Sequence, residues 1–228
     1  MSSDIPFLKE RLAEAARYAL MRRLLPAIRH NLAGSMQPIG MMSAMLERRI
    51  KSAVPDMAQL GNNTQALTAL SREAAATSLN LMTWLGPRDN DLVAVNSAVE
   101  ESLGLISTEL SFRGFCVVNQ TADVLTKLPK GILRNVFTAS LIAVTDSVEK
   151  AASVVVSATE EAGSTRLKIA IEPGGTAELA AMESPMPTYR TLQWADVQAL
   201  ADAEGVHLVY APDFVQLDCC NFDSALAG

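Results

Sequence analysis

Apolar residues recur at helical spacing through the first third of the chain and at strand spacing beyond it. In the stretch RRLLPAIRHNLAGSMQPIGMMSAMLERR (22–49), counting on from His30, they fall at Leu32, Met36, Ile39, Met42 or Met41, Met45 and Leu46. Steps of three and four put such residues on one stripe of a long helix. PDMAQLG (55–61) interrupts the pattern, and Leu60, Leu67, Leu70, Ala74, Leu81 and Leu85 restore it through Trp84. The pair predicts a helical hairpin, and two hairpins together complete a four-helix bundle. Upstream, Leu8, Leu12, Ala15, Ala16 and Leu20 extend the first helix back to Pro6, with Ser2, Ser3 or Asp4 as its cap. Pro26 and Pro38 lie inside this pattern and predict bends on both sides of His30.

The second helix is expected from about 56 to 85, stopped by Gly86-Pro87. GPRDND (86–91) then separates a helical domain, 1–86, from a second domain, 87–228. DLVAV (91–95) reads as a strand, and Asn96 as the cap of a helix over 97–110. Short strands follow at 115–119 and 124–128, then a helix from Pro129-Lys130-Gly131 to Val148. SVVVSA (153–158) and RLKIAIE (166–172) are β-branched runs, the second strictly alternating. Residues 173–190 read as loop, and a helix over 192–203 ends at Gly205. VHLVYA (206–211) and FVQLDCC (214–220) close the chain as a hairpin around Pro212-Asp213. The fold class is α+β: a helical hairpin followed by an α/β sandwich with helices on one face of a mixed sheet.

Bulk properties narrow the function. The chain has 228 residues, 49% hydrophobic and 19% charged, which suits a folded, soluble protein. A net charge of −6 argues against a general nucleic-acid binder, which needs a concentrated basic face. No apolar run approaches the ~18–20 residues that span a bilayer. The N-terminus is acidic and lacks the uncharged core of a secretory signal. Cys116, Cys219 and Cys220 lack metal-ligand spacing, so free thiols in a reducing cytoplasm are expected. No membrane and no nucleic-acid partner is expected.

Only two histidines occur. His207 lies in a strand-like run and reads as structural. His30 stands on the first helix between Arg29 and Asn31. Imidazole is a nucleophile near neutral pH, and its N–P bond retains the potential to pass phosphate to a carboxylate. Arg29 or Arg23 is placed to steady a phosphoryl group or meet an acidic partner. No Ser-His-Asp, zinc or paired-carboxylate constellation stands out, and the methionines around His30 suit core packing.

A histidine inside the first helix of a hairpin, followed by an α/β segment, resembles the dimerisation and phosphotransfer domain of sensor histidine kinases joined to their ATPase domain. The plan is closest to the ChpT-type histidine phosphotransferases. The resemblance implies a cytoplasmic homodimer acting downstream of a sensor, relaying phosphate through His30, with Arg29 and Asn31 beside it. It implies docking of response-regulator receiver domains, or of a hybrid kinase, over Arg23, Gly34 and Gln37, with Mg supplied by the receiver and no cofactor of the chain's own. Kinases of this type place an acid after the histidine, where Asn31 stands, and Thr, Asn or Gln four residues on, where Gly34 stands. These departures weigh against self-phosphorylation and phosphatase activity. The magnesium-holding asparagine of the ATP site would fall at Val144 or Ala143, and Asn135 lies two turns too early. Glu172-Pro173-Gly174-Gly175-Thr176 resembles a worn Asp-x-Gly-x-Gly box, and Thr191-Leu192-Gln193-Trp194-Ala195 has no glycine where a glycine-rich box belongs. The alternatives are a non-catalytic scaffold that binds receivers or kinases and, last, an ATP-dependent histidine kinase.

Overall fold

The structure, a computed structural model, describes residues 4–84, 91–148, 152–161, 163–173 and 191–220. Helix α1 (Asp4–Ile50) and helix α2 (Met57–Trp84) come first. They are followed by β1 (Leu92–Ala94), α3 (Val95–Phe112), β2 (Cys116–Asn119) and β3 (Lys127–Pro129). A π-helical turn, Ile132–Phe137, leads into α4 (Thr138–Asp146). The strands β4 (Ala152–Glu161) and β5 (Ser164–Pro173), helix α5 (Trp194–Glu204), and strands β6 (His207–Ala211) and β7 (Phe214–Cys220) complete the order. The expected α+β plan of helices followed by a mixed sheet is therefore present. No helix among the described residues is long and apolar enough to cross a membrane. The expected stop at Leu85-Gly86-Pro87, the caps Ser2 and Ser3, and the loop beyond Pro173 as far as residue 190 lie outside the described residues.

Two compact units divide the chain: α1 up to Leu24 together with everything from β1 onward, and the rest of α1 from Leu25 together with α2. This differs from a single helical domain over 1–86, because α1 belongs to both units.

In the α/β unit the sheet order is β2-β4-β5-β7-β6, with β2 parallel to β4 and the other pairs antiparallel. Alternation does the sorting: Val154, Val156, Leu167, Ile169, Val215 and Leu217 are buried, and the residues between them are not. Against that inner face pack α3, α4 and α5, whose Val99, Ile106, Leu141, Val144, Val197 and Leu200 are buried. Every residue of α4 from Thr138 to Thr145 is buried. On α1 between Pro6 and Leu24 the buried positions are Ala13, Ala16, Ala19, Leu20, Arg23 and Leu24, whereas Leu8, Leu12 and Ala15 are exposed. Of the stripe expected there, Ala16 and Leu20 are buried and Leu8, Leu12 and Ala15 are not; Ala13, Ala19, Arg23 and Leu24 complete the packing face in their place.

Local chemistry explains the other departures. Asn96 does not cap α3, whose N-cap is Ala94; its side chain instead donates to Ala122 O (3.0 Å) and accepts from Ser97 N (2.6 Å). The expected strand over 124–128 shortens to β3, which pairs with β1. Helix α5 carries a reciprocal capping box between Gln193 and Asp196 and ends at Gly205, φ +69°.

In the hairpin unit α1 runs unbroken through Pro26 and Pro38 to Ile50. Residues 51–56 turn the chain into α2. Leu32, Ile39, Met42, Met45 and Leu46 of α1 are half-buried, as are Leu60, Leu67 and Leu70 of α2, while Ala74 and Leu81 are buried. Met36 leaves the expected stripe at 53% exposure, and Met42 rather than Met41 continues it.

Candidate functional site

His30 is exposed on α1, and the described residues offer its imidazole no hydrogen-bond or ion-pair partner. Residues four, seven and eleven positions on share a helix side, and Gly34, Gln37 and Met41 are all exposed there. Nothing lies within 4 Å of a Cβ built on Gly34. The result is an open track, His30–Gly34–Gln37–Met41, with no side chain at the position next to the imidazole. Arg29 is exposed and Asn31 half-buried. Neighbours on a helix diverge by about 100°, so the two residues flank His30 without sharing its side.

Arg23 does not sit on a docking surface, and that expectation is corrected. The residue is 7% exposed, and its guanidinium donates to both carboxylate oxygens of Glu109, with Nη1 to Oε2 at 2.8 Å. It also reaches Asp146 Oδ1 at 3.4 Å. Arg113 Nη1 donates to the same Asp146 oxygen at 2.7 Å, and its Nη2 to Thr145 O at 2.7 Å. Burial alone would raise the Glu109 pKa. The hydrogen bonds and charge of Arg23, with Arg113 behind them, outweigh it and hold the carboxyl below its ordinary value. No local sequence signal marks Glu109, Asp146 or Arg113 as partners of Arg23.

The positions where a nucleotide site would stand are filled differently. Ala143 and Val144 are buried in α4 and carry no ligand oxygen in their side chains. Asn135 is half-buried in the π turn. Leu192 is buried, and the Trp194 ring stacks on Tyr210 with centroids 4.2 Å apart. Glu172 is exposed near the end of β5, and Gly174, Gly175 and Thr176 lie outside the described residues. Among the described residues no group of three or more His, Cys, Asp or Glu could hold a metal ion. Open grooves of about 480 Å³ on α2, lined by Gly61, Thr64, Thr68 and Arg72, and about 330 Å³ on α3 do not include His30.

His207 stands at the sheet edge, its Nδ1 3.5 Å from Asp218 Oδ2. Asp218 is held by Arg166 Nε at 2.7 Å. Cys116 and Cys220 are exposed free thiols, and burial pushes the Cys219 thiol up to about 12.

No family profile and no curated protein matches the chain. Among solved structures, several histidine kinases are similar to this chain. AdeS of Acinetobacter baumannii is 18% identical with a TM-score of 0.44, over 84% of this chain and 98% of that one. A histidine kinase of Burkholderia phymatum is 13% identical with a TM-score of 0.44, over 88% and 99%. Histidine kinase ThkA, in complex with response regulator protein TrrA, is 11% identical with a TM-score of 0.42, over 97% and 68%.

Proposed function

We propose that this chain is a homodimeric histidine phosphotransferase of the two-component type, passing phosphate between receiver aspartates through His30 without binding ATP. The observation that carries it is the open track at His30. A structural histidine would be packed or hydrogen-bonded, whereas this imidazole faces solvent beside a glycine. In the forward step an unprotonated ring nitrogen attacks the phosphorus of a receiver aspartyl phosphate. The N–P bond forms, the acyl P–O bond breaks, and the carboxylate leaves with the electron pair. The proton on the other ring nitrogen passes to water. The reverse step loads a second receiver. Such transfer needs positioning and charge shielding more than acid–base chemistry, and the receiver's own acidic cluster and Mg would supply most of the shielding. Arg29 flanks the site as a further cation.

Ala143 and Val144 support the absence of ATP chemistry, and Asn31 and Gly34 support passive transfer over self-phosphorylation. For the homodimer, the support is uncovered apolar surface: Leu25, Met36 and Ile50 on α1, with Met57, Leu79 and Met82 on α2, are all exposed in the single chain. Three free cysteines suit a cytoplasmic setting.

The missing acid beside His30 favours one other reading, a scaffold with the same docking surface and no chemistry. His30→Gln separates them. Receiver binding should survive in the variant while acid-labile, base-stable phosphate on the protein disappears. If the unaltered protein binds several charged receivers and acquires no such phosphate, the scaffold reading stands.

A further inference from the structure

Both histidines of the chain are exposed, but only His207 has an acid within ion-pair reach among the described residues. Alternation along β5, β7 and β6 places that acid. Leu167, Leu217 and Leu208 pair across the three strands and are buried on the helix-covered face of the sheet. Their neighbours Arg166, Asp218 and His207 pair in the adjacent row and stand on the opposite face. Arg166 Nε donates to Asp218 Oδ1 at 2.7 Å, and Gln216 Nε2 donates to both Asp218 oxygens at 3.1 Å. Arg166 is itself held by Glu161 Oε1 at 2.9 Å. Burial raises the Asp218 pKa, but hydrogen bonds from Arg166, Gln216 and His207 outweigh it and hold the carboxyl below its ordinary value. An ionised carboxylate only accepts, so the imidazole 3.5 Å from it carries its proton on Nδ1. The lone pair is then on Nε2, on a side chain 74% exposed at the sheet edge. Activated nucleophiles share this arrangement, in which the group beside the reacting side chain is oriented by a third.

We propose that His207 is a second phosphoacceptor, taking phosphate from acyl phosphates, with Asp218 as its positioning residue. Nε2 attacks the phosphorus, the N–P bond forms, the bond from phosphorus to the acyl oxygen breaks, and the carboxylate leaves with the electron pair. The Nδ1 proton stays in place. Asp218 meets the positive charge that the ring gains, across a contact that tightens as the charge develops. Mg accompanying the donor shields the phosphoryl oxygens. The site lies wholly within the α/β unit and does not depend on transfer through His30.

The test exposes the full chain, with Mg, to acetyl phosphate in one arm and, in the other, to a receiver domain charged and then freed of small donor. Peptides are mapped at alkaline pH. Acid-labile, base-stable phosphate should appear on the peptide carrying His207, persist in His30→Gln and vanish in His207→Gln. In Asp218→Ala it should form about tenfold more slowly or less, the scale of losing a charge-assisted hydrogen bond. Label from acetyl phosphate shows that a small acyl phosphate suffices, and label from the charged receiver alone makes the receiver the donor. Nitrogen NMR of the unphosphorylated wild-type chain, which needs no variant to fold, should find the His207 proton on Nδ1. An unlabelled His207 in both arms overturns the proposal, as does a labelling rate unchanged in Asp218→Ala or a wild-type proton on Nε2. Label confined to His30 upholds the phosphotransfer reading and overturns this one; label confined to His207 does the reverse.

Discussion

Two side chains two turns apart on α1 have opposite fates: His30 faces solvent without a partner among the described residues, while Arg23 is buried among two carboxylates. His30 was legible because histidine is scarce in this chain and its flanking pattern is helical. Arg23's role was not legible, because its partners lie 86 and 123 residues away in sequence. Spacing on a helix reports which residues share a side, but not which of them another element will cover. The cluster has a pH signature. Glu109's folded pKa lies below its unfolded value, so its contribution is fully present above the unfolded pKa and is lost as pH falls through the folded one. Urea titrations at stepped pH should show stability declining on the acid side, and Glu109→Gln should flatten that decline. Asp218, also lowered, adds to the same limb with the same sign, so the variant should reduce the slope without removing it.

At the scale of elements, the strands were legible where alternation is strict. Residues 166–172 alternate in sequence, and β5 alternates in burial. The hairpin helices were legible for the same reason at the helical period. What escaped were Ala13 and Ala19 on the packing face of α1, since alanine carries little hydropathy contrast, and the π turn before α4, which differs from an α-helix by one residue in its hydrogen-bond step. Phe137 closes that turn and is fully buried. Phe137→Ala should therefore cost about 3–5 kcal/mol, read from denaturant unfolding. Gly205 ends α5 in the left-handed region at φ +69°, where an L side chain is strained. Gly205→Ala should cost about 1 kcal/mol or more by the same measurement.

At the scale of the whole molecule, α1 joins two compact units, its first half packed as part of one and its second half as part of the other. Pro26 stands just past the join, but the apolar pattern runs through it, since a continuous helix keeps its period whatever it packs against. In the proposed homodimer a second copy would cover the exposed apolar residues on both hairpin helices. Leu25 is 59% exposed, and Leu25→Glu should shift the protein from dimer to monomer in sedimentation equilibrium while far-UV circular dichroism stays unchanged. A wild-type protein that sediments as a monomer at tens of micromolar, a concentration at which a bundle-sized interface associates, would contradict the homodimer. Phosphotransfer through this chain turns on one bond, from a His30 ring nitrogen to phosphorus, and peptide mapping of the wild-type chain after exposure to phosphorylated receivers detects it. Phosphate should appear on the peptide carrying His30, labile to acid, stable to base, and drawn off again by an uncharged receiver. Receivers that bind while His30 remains unmodified, or phosphate found only elsewhere on the chain, would contradict it.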